Sequence, residues 1–125
     1  MNSQNKKILI IDDDARNIFA LSAVLRSKGY SCISALSASE GLNLLSDTRD
    51  IGIVLVDMMM PEMDGYTVIP KIKQDKDLAG IPVIAVTAQA MPGDKERCLS
   101  AGADGYISKP VNVDVLLEIL SNYLK

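Results

Sequence analysis

Residues 53–57 read Ile53-Val54-Leu55-Val56-Asp57, an apolar and largely β-branched run closed by a carboxylate. A run with no polar alternation suits a strand covered on both faces, as in a parallel sheet. The closing aspartate marks where the strand leaves the core. The same design recurs on either side. Ile8-Leu9-Ile10-Ile11 ends in Asp12 and Asp13, and Val83-Ile84-Ala85-Val86 ends in Thr87. Tyr106-Ile107-Ser108 is followed by Lys109 and Pro110. In a parallel sheet the carboxyl ends of these strands share one edge. Three carboxylates, a hydroxyl and an ammonium would then converge on one small volume.

The segments between the runs carry helical patterns, and strand–helix alternation from end to end is the signature of an α/β fold with a parallel sheet. The first strand covers about Lys7 to Ile11, and the first helix about Asp14 to Lys28, with Ile18, Leu21 and Leu25 on one face and Gly29 as its stop. A second strand spans Ser31 to Leu36, and a second helix follows Ser37 or Ser39 and runs to about Thr48. The third strand ends at Val56, and the third helix follows Asp64 and ends near Lys73. After the strand Val83–Val86, a fourth helix is expected from near Pro92 to Gly102, since proline suits a first turn. A short strand from Gly105 to Ser108 precedes a last helix that Asn112 caps and that continues to the C-terminus.

Ser31–Leu36 mixes polar and apolar residues, and the last strand is short, so these two read as sheet edges. Right-handed crossovers then favour a five-stranded parallel sheet of order 2-1-3-4-5 with helices on both faces, a three-layer sandwich. Ligands bind such sheets where the winding reverses, at the carboxyl ends between strands 1 and 3. Asp12, Asp13 and Asp57 flank that point. Pro70 breaks the pattern. Inside a helix its ring opposes the carbonyl of Tyr66 and one hydrogen bond is lost, at a cost of about 3 kcal/mol in a regular helix, so a kinked or shortened third helix is expected.

With 125 residues the chain has the length of one domain, and 48% hydrophobic residues are enough for a packed core. Residues 1–5 are polar and expected to fray. A formal net charge of −3 lacks the basic footprint of a nucleic-acid binder. No apolar run is long enough to span a bilayer and the start has no signal-peptide pattern, which suits a cytoplasmic protein. Cys32 and Cys98 form no metal-type spacing and read as reduced, partly buried thiols. The chain has no histidine, which excludes a Ser-His-Asp triad, a histidine metal ligand and a phosphohistidine carrier.

Carboxylates about 4 Å apart repel by on the order of 4 kcal/mol at an effective dielectric near 20. Such a cluster retains a proton or binds a cation. Aspartate oxygens alone favour a hard ion, Mg²⁺ above all, with Mn²⁺ as a substitute. Such an ion would also admit phosphate oxygens to an acidic site. A carboxylate can itself attack phosphorus and form an acyl phosphate, and Asp57 is the central candidate. Lys109 suits one phosphoryl oxygen and the Thr87 hydroxyl another. Thr87 moving toward the new charge would drag residues 88–93 and free space for Tyr106. Taken singly, each residue has an ordinary role: Asp14 as a helix cap, Thr87 as a backbone-satisfied hydroxyl, Lys109 as a solvated charge, Tyr106 as a half-buried aromatic, Met58-Met59-Met60 as packing. Their joint placement at successive strand ends is what argues for chemistry.

These residues resemble the receiver domain of two-component response regulators, over essentially the whole chain. The matching pieces are Ile8 to Asp14, Asp57-Met58-Met59-Met60-Pro61-Glu62-Met63-Asp64-Gly65, Val86-Thr87-Ala88 and Tyr106-Ile107-Ser108-Lys109-Pro110. The resemblance implies a flavodoxin-like (βα)5 fold and a signalling domain rather than an enzyme turning over an external substrate, with slow self-dephosphorylation only. It implies Asp57 as phosphoacceptor; Asp13 and Asp57 as direct Mg²⁺ ligands, with Asp12 acting through water and the Met59 carbonyl completing the set; Thr87 and Lys109 on the phosphoryl group; and Tyr106 as an aromatic switch. A cis Lys109–Pro110 peptide is implied, and Met59 and Gln89 stand where receivers tune phosphoryl lifetime. The implied donor is a phosphohistidine on a histidine kinase or phosphotransfer protein, docking near Arg16, Asn17 and Ala20. The output face would be the fourth helix, fifth strand and fifth helix, presented to a protein target or an output domain. A monomer is expected, with phosphorylation-dependent dimerisation as the alternative. No DNA-binding segment is expected beside the domain, as in a free-standing regulator or the receiver of a hybrid kinase.

Three other readings compete. Asp12-x-Asp14 after an apolar strand resembles the opening motif of haloacid dehalogenase-type phosphatases, which would make Asp12 the nucleophile; Arg16 and the short chain oppose it. A flavodoxin-like ligand binder would need a Ser/Thr/Gly-rich loop where the acidic cluster stands. A phosphorylation-independent pseudo-receiver would have no need of the intact acidic set.

Overall fold

Side-chain caps open four of the five helices. The Asp14 carboxylate accepts the Arg16 N–H, Ser37 Oγ the Glu40 N–H, Asp64 the Thr67 N–H and Asn112 the Val115 N–H. Glu40 reaches back to accept the Leu36 N–H at 2.7 Å, close to the reciprocal pattern of a capping box. These contacts set where each helix departs from the strand before it. In this computed structural model, which describes residues 6–60, 63–88 and 92–124, the elements alternate throughout. They are β1 (Lys7–Ile11), α1 (Ala15–Ser27), β2 (Ser31–Ala35), α2 (Ala38–Asp47), β3 (Ile51–Asp57), α3 (Gly65–Gln74), β4 (Val83–Thr87), α4 (Asp94–Ser100), β5 (Gly105–Ser108) and α5 (Val113–Tyr123).

The sheet is parallel with order β2-β1-β3-β4-β5, as expected from the polar character of its edges. Alternate side chains divide the core in two. Leu9, Ile11, Val54, Val56, Val83 and Ala85 pack with residues of α2, α3 and α4. Ile8, Ile10, Ile53, Leu55, Ile84 and Val86 pack with α1 and α5. By the same alternation Asp57 follows Leu55 toward the α1/α5 side, whereas Thr87 follows Ala85 toward the side where Tyr106 packs.

Four elements differ from expectation. Asp57 and Thr87 are the last paired residues of their strands, Asp57 opposite Val86 and Thr87 opposite Ser108, so both are held by the sheet rather than by a loop. Helix α4 starts at Asp94, two residues past Pro92, because Gly93 adopts φ 87° and a left-handed residue cannot continue a right-handed helix. Helix α3 is not shortened by Pro70: it runs from Gly65 to Gln74 with the proline inside, and Val68, Ile69 and Ile72 in the core. Packing of that apolar face offsets the one missing backbone bond.

Gly65 marks a close approach between α3 and the end of β3. A Cβ there would collide with Met58 Sδ and lie 3.0 Å from Met58 Cα, a backbone atom just beyond Asp57. Gly65→Ala is expected to destabilise the fold by about 1–3 kcal/mol, the usual cost of overpacking. Urea unfolding that shows a loss in midpoint at unchanged slope would confirm it; an unchanged midpoint would refute it.

Candidate functional site

The parallel sheet delivers Asp12, Asp13 and Asp57 to one place. One carboxylate oxygen from each lies within 4.8 Å of the others. Asp12 and Asp57 are buried, each 6% exposed, while Asp13 is exposed. Neither buried carboxylate is loose. Asp12 Oδ1 accepts the Asp14 N–H at 2.9 Å, and Asp57 Oδ1 accepts the Met59 N–H at 3.0 Å. Lys109 closes the arrangement from β5, its Nζ lying 3.5 Å from Asp12 Oδ2 and 3.4 Å from Asp57 Oδ2. The lysine is itself positioned through its backbone, whose N–H donates to the Thr87 carbonyl at 2.7 Å. The Lys109–Pro110 peptide is cis.

Burial raises the Asp57 carboxyl above the ordinary aspartate range. The Met59 N–H and the Lys109 ammonium pull it down, and the Asp12 charge pushes it up. The donors fit a hard divalent cation: all side-chain donors are carboxylate oxygens, and the chain has no histidine to recruit a softer metal. Met59 contributes its N–H to Asp57 and leaves its side chain half in solvent, 50% exposed, so its side chain can vary without disturbing that bond.

The remaining predicted residues separate into two groups. Asn17 and Ala20 line a cavity of about 530 Å³ between α1 and the β5–α5 connection, together with Asp12, Asp57, Lys109 and Pro110. Arg16 does not line it; its guanidinium turns to Asp14, with Nε and Nη2 each 3.4 Å from a carboxylate oxygen. Asp14 is the cap of α1, as expected. Thr87 is buried at the end of β4. Tyr106 is half-buried on β5 and donates to Asp94 Oδ2 at 3.2 Å. Gln89 lies outside the described residues. Asp94 was missed from the sequence, where it reads as an ordinary acid in a first helical turn. The available signal was spacing: Asp94 is one turn before Cys98 on α4, and a face that buries a cysteine buries its i−4 neighbour too.

Residues 8–121 match the family described as the response regulator receiver domain. The chain belongs to that family. It is 37% identical over 119 residues to the polar-differentiation response regulator DivK of Brucella ovis, covering 95% of this chain and 96% of that one. Among solved structures it is similar to the signal receiver domain of a signal transduction histidine kinase from Syntrophus aciditrophicus, with 35% identity, TM-score 0.86, and coverage of 95% and 89% of the two chains. It is also similar to a putative response regulator from Chloroflexus aurantiacus, with 30% identity, TM-score 0.88, and coverage of 95% and 97%. The protein is therefore a phosphoacceptor signalling domain of a two-component system, with a flavodoxin-like fold and an acidic pocket of the kind in which receivers bind Mg²⁺. Membership sets aside the phosphatase and flavodoxin readings.

The raised carboxyl of Asp57 has a consequence for stability. The folded state holds this proton more tightly than the unfolded state does. The contribution of Asp57 to stability is therefore full below the ordinary aspartate value and is lost as pH rises through the raised one. At neutral pH the ionised group burdens the fold. In chelator at neutral pH, Asp57→Asn is expected to melt higher than wild type. The difference should shrink in acid, and added Mg²⁺ should stabilise wild type more than the variant. Thermal melts in which the variant is no more stable at neutral pH would contradict this account.

Proposed function

We propose that Asp57 accepts a phosphoryl group from a phosphohistidine on a histidine kinase or phosphotransfer protein, and that the new charge alters the face formed by α4, β5 and α5. The observation that carries the proposal is the setting of Asp57. It is a buried carboxylate at a strand end, with one oxygen held by a backbone N–H and the other facing an ammonium at 3.4 Å.

In the proposed reaction a carboxylate oxygen of Asp57 attacks phosphorus. An acyl phosphate forms as the P–N bond breaks, and the donor imidazole keeps the bonding pair and takes up a proton. Asp12, Asp13 and Asp57, with the Met59 carbonyl, would hold Mg²⁺, which supplies positive charge for the phosphoryl oxygens. Lys109 gives up its contact with the Asp57 carboxylate for a phosphoryl oxygen, neutralising charge as it develops. The Thr87 hydroxyl turns to another oxygen, and Tyr106 follows. The donor docks near Arg16, Asn17 and Ala20, the last two lining the cavity beside Asp57. The domain turns over no external substrate, and the phosphoryl group leaves only by slow hydrolysis. We assign it to the cytoplasm, where such donors are found. No helix among the described residues is long and apolar enough to cross a membrane. The domain acts as a monomer on a protein target or an output domain, unless phosphorylation drives a dimer.

Intact mass after incubation with Mg²⁺ and acetyl phosphate tests the proposal. Wild type is expected to gain one phosphoryl group that maps to Asp57. Asp57→Asn should gain none, and Lys109→Met should gain it about 100-fold more slowly, the usual loss when one preorganised charge is removed. An adduct on Asp12, or an equal adduct on Asp57→Asn, would sink the assignment.

A further inference from the structure

Away from the acidic site, on the other side of the sheet, a second polar cluster joins three elements. Asp94, at the start of α4, is 8% exposed, and its carboxylate accepts two phenols. Tyr66 of α3 donates to Oδ1 at 2.7 Å, and Tyr106 of β5 donates to Oδ2 at 3.2 Å. Tyr66 is gripped further by α4. The Arg97 guanidinium carbon sits 4.0 Å from its ring centroid, and the buried Cys98 Sγ lies 3.8 Å from its hydroxyl. Burial, and then the bond to Asp94, raises both phenols above the ordinary tyrosine value, so both remain protonated donors.

We propose that Asp94 is a latch on the aromatic switch: its carboxylate ties Tyr106 to Tyr66, so Tyr106 cannot follow Thr87 without breaking that bond or pulling α4 against α3. The inference rests on the phosphoacceptor reading above and adds a restraint to it. Phenol–carboxylate bonds are charge-assisted and stronger than neutral ones, and burial of the Asp94 carboxylate limits the water that can replace them. The position seen for Tyr106 is therefore favoured, and a phosphoryl group must outcompete the latch to move it. Helix α4 is well suited to such coupling. It has seven residues, begins after a left-handed glycine with no side-chain cap, and so relies on tertiary contacts to hold its start. Through Tyr66 the same latch makes α3 a second element that senses the switch.

A ligand that requires Tyr106 to move binds more tightly when the restraint on that motion is weakened. Beryllofluoride with Mg²⁺, a phosphoryl mimic, is the probe, titrated against the full chain and followed by the amide NMR shifts of Tyr106 and Ile107. Asp94→Asn keeps the shape and one acceptor oxygen but loses the charge. It is expected to tighten binding about fivefold. In a Tyr106→Phe background the same substitution should change binding less than about twofold, because the latch then has nothing to hold. Should Asp94→Asn fail to fold, Tyr66→Phe removes one donor and keeps the ring, with tightening of about two- to threefold expected. Wild type that takes up no beryllofluoride overturns the phosphoacceptor reading and the latch with it. Wild type that binds, with Asp94→Asn (or, in its place, Tyr66→Phe) binding equally or more weakly, overturns the latch alone. An equal gain from Asp94→Asn with Phe at position 106 also overturns it.

Discussion

The Lys109 ammonium stands between two buried carboxylates, 3.5 Å from Asp12 and 3.4 Å from Asp57, and the geometry of the site depends on it. Without a cation, like charges so placed would separate or take up a proton. The lysine satisfies both, and each aspartate offers its second oxygen to a backbone N–H, so among the described residues no buried side-chain oxygen or nitrogen lacks a partner. The raised carboxyl of Asp57 shows that the compensation is incomplete. A site in that condition favours added positive charge and tolerates a phosphoryl group only alongside it.

The two faces of the sheet divide the work. Asp57 belongs by alternation with the side chains that face α1 and α5, where the cavity opens past Asn17 and Ala20. Thr87 and Tyr106 belong to the opposite face, with α3 and α4. A chemical event received on one side can therefore be felt on the other through single residues at the strand ends. The Lys109 N–H donates to the Thr87 carbonyl at 2.7 Å and ties the two strand ends together. On the α4 side Asp94 is buried with two phenols as its partners, one of them beside the Cys98 thiol. Polar packing of that kind has discrete partners, which the proposed switch would exchange.

Sequence alone determined the α/β class, the strand order and the acidic strand ends, because each rests on a one-dimensional signal. Continuous apolar runs mark buried parallel strands, polar alternation marks edges, and a charge closing an apolar run marks the rim of a sheet. The caps at Asp14 and Asn112 were legible for the same reason, since a cap bonds to a backbone N–H two or three residues away. The start of α4 was misplaced because Pro92 and Gly93 both permit a helix to begin, and the left-handed φ of Gly93 decides between them. Pro70 misled in the other direction: its local cost was readable, while the packing of Val68, Ile69 and Ile72 that overrides it was not. Only the tertiary structure could join Tyr66, Asp94 and Tyr106, which lie 28 and 12 residues apart along the chain. A hydrogen bond between distant side chains leaves no periodicity behind it. It exists because the sheet and two helices, α3 and α4, set those groups within reach.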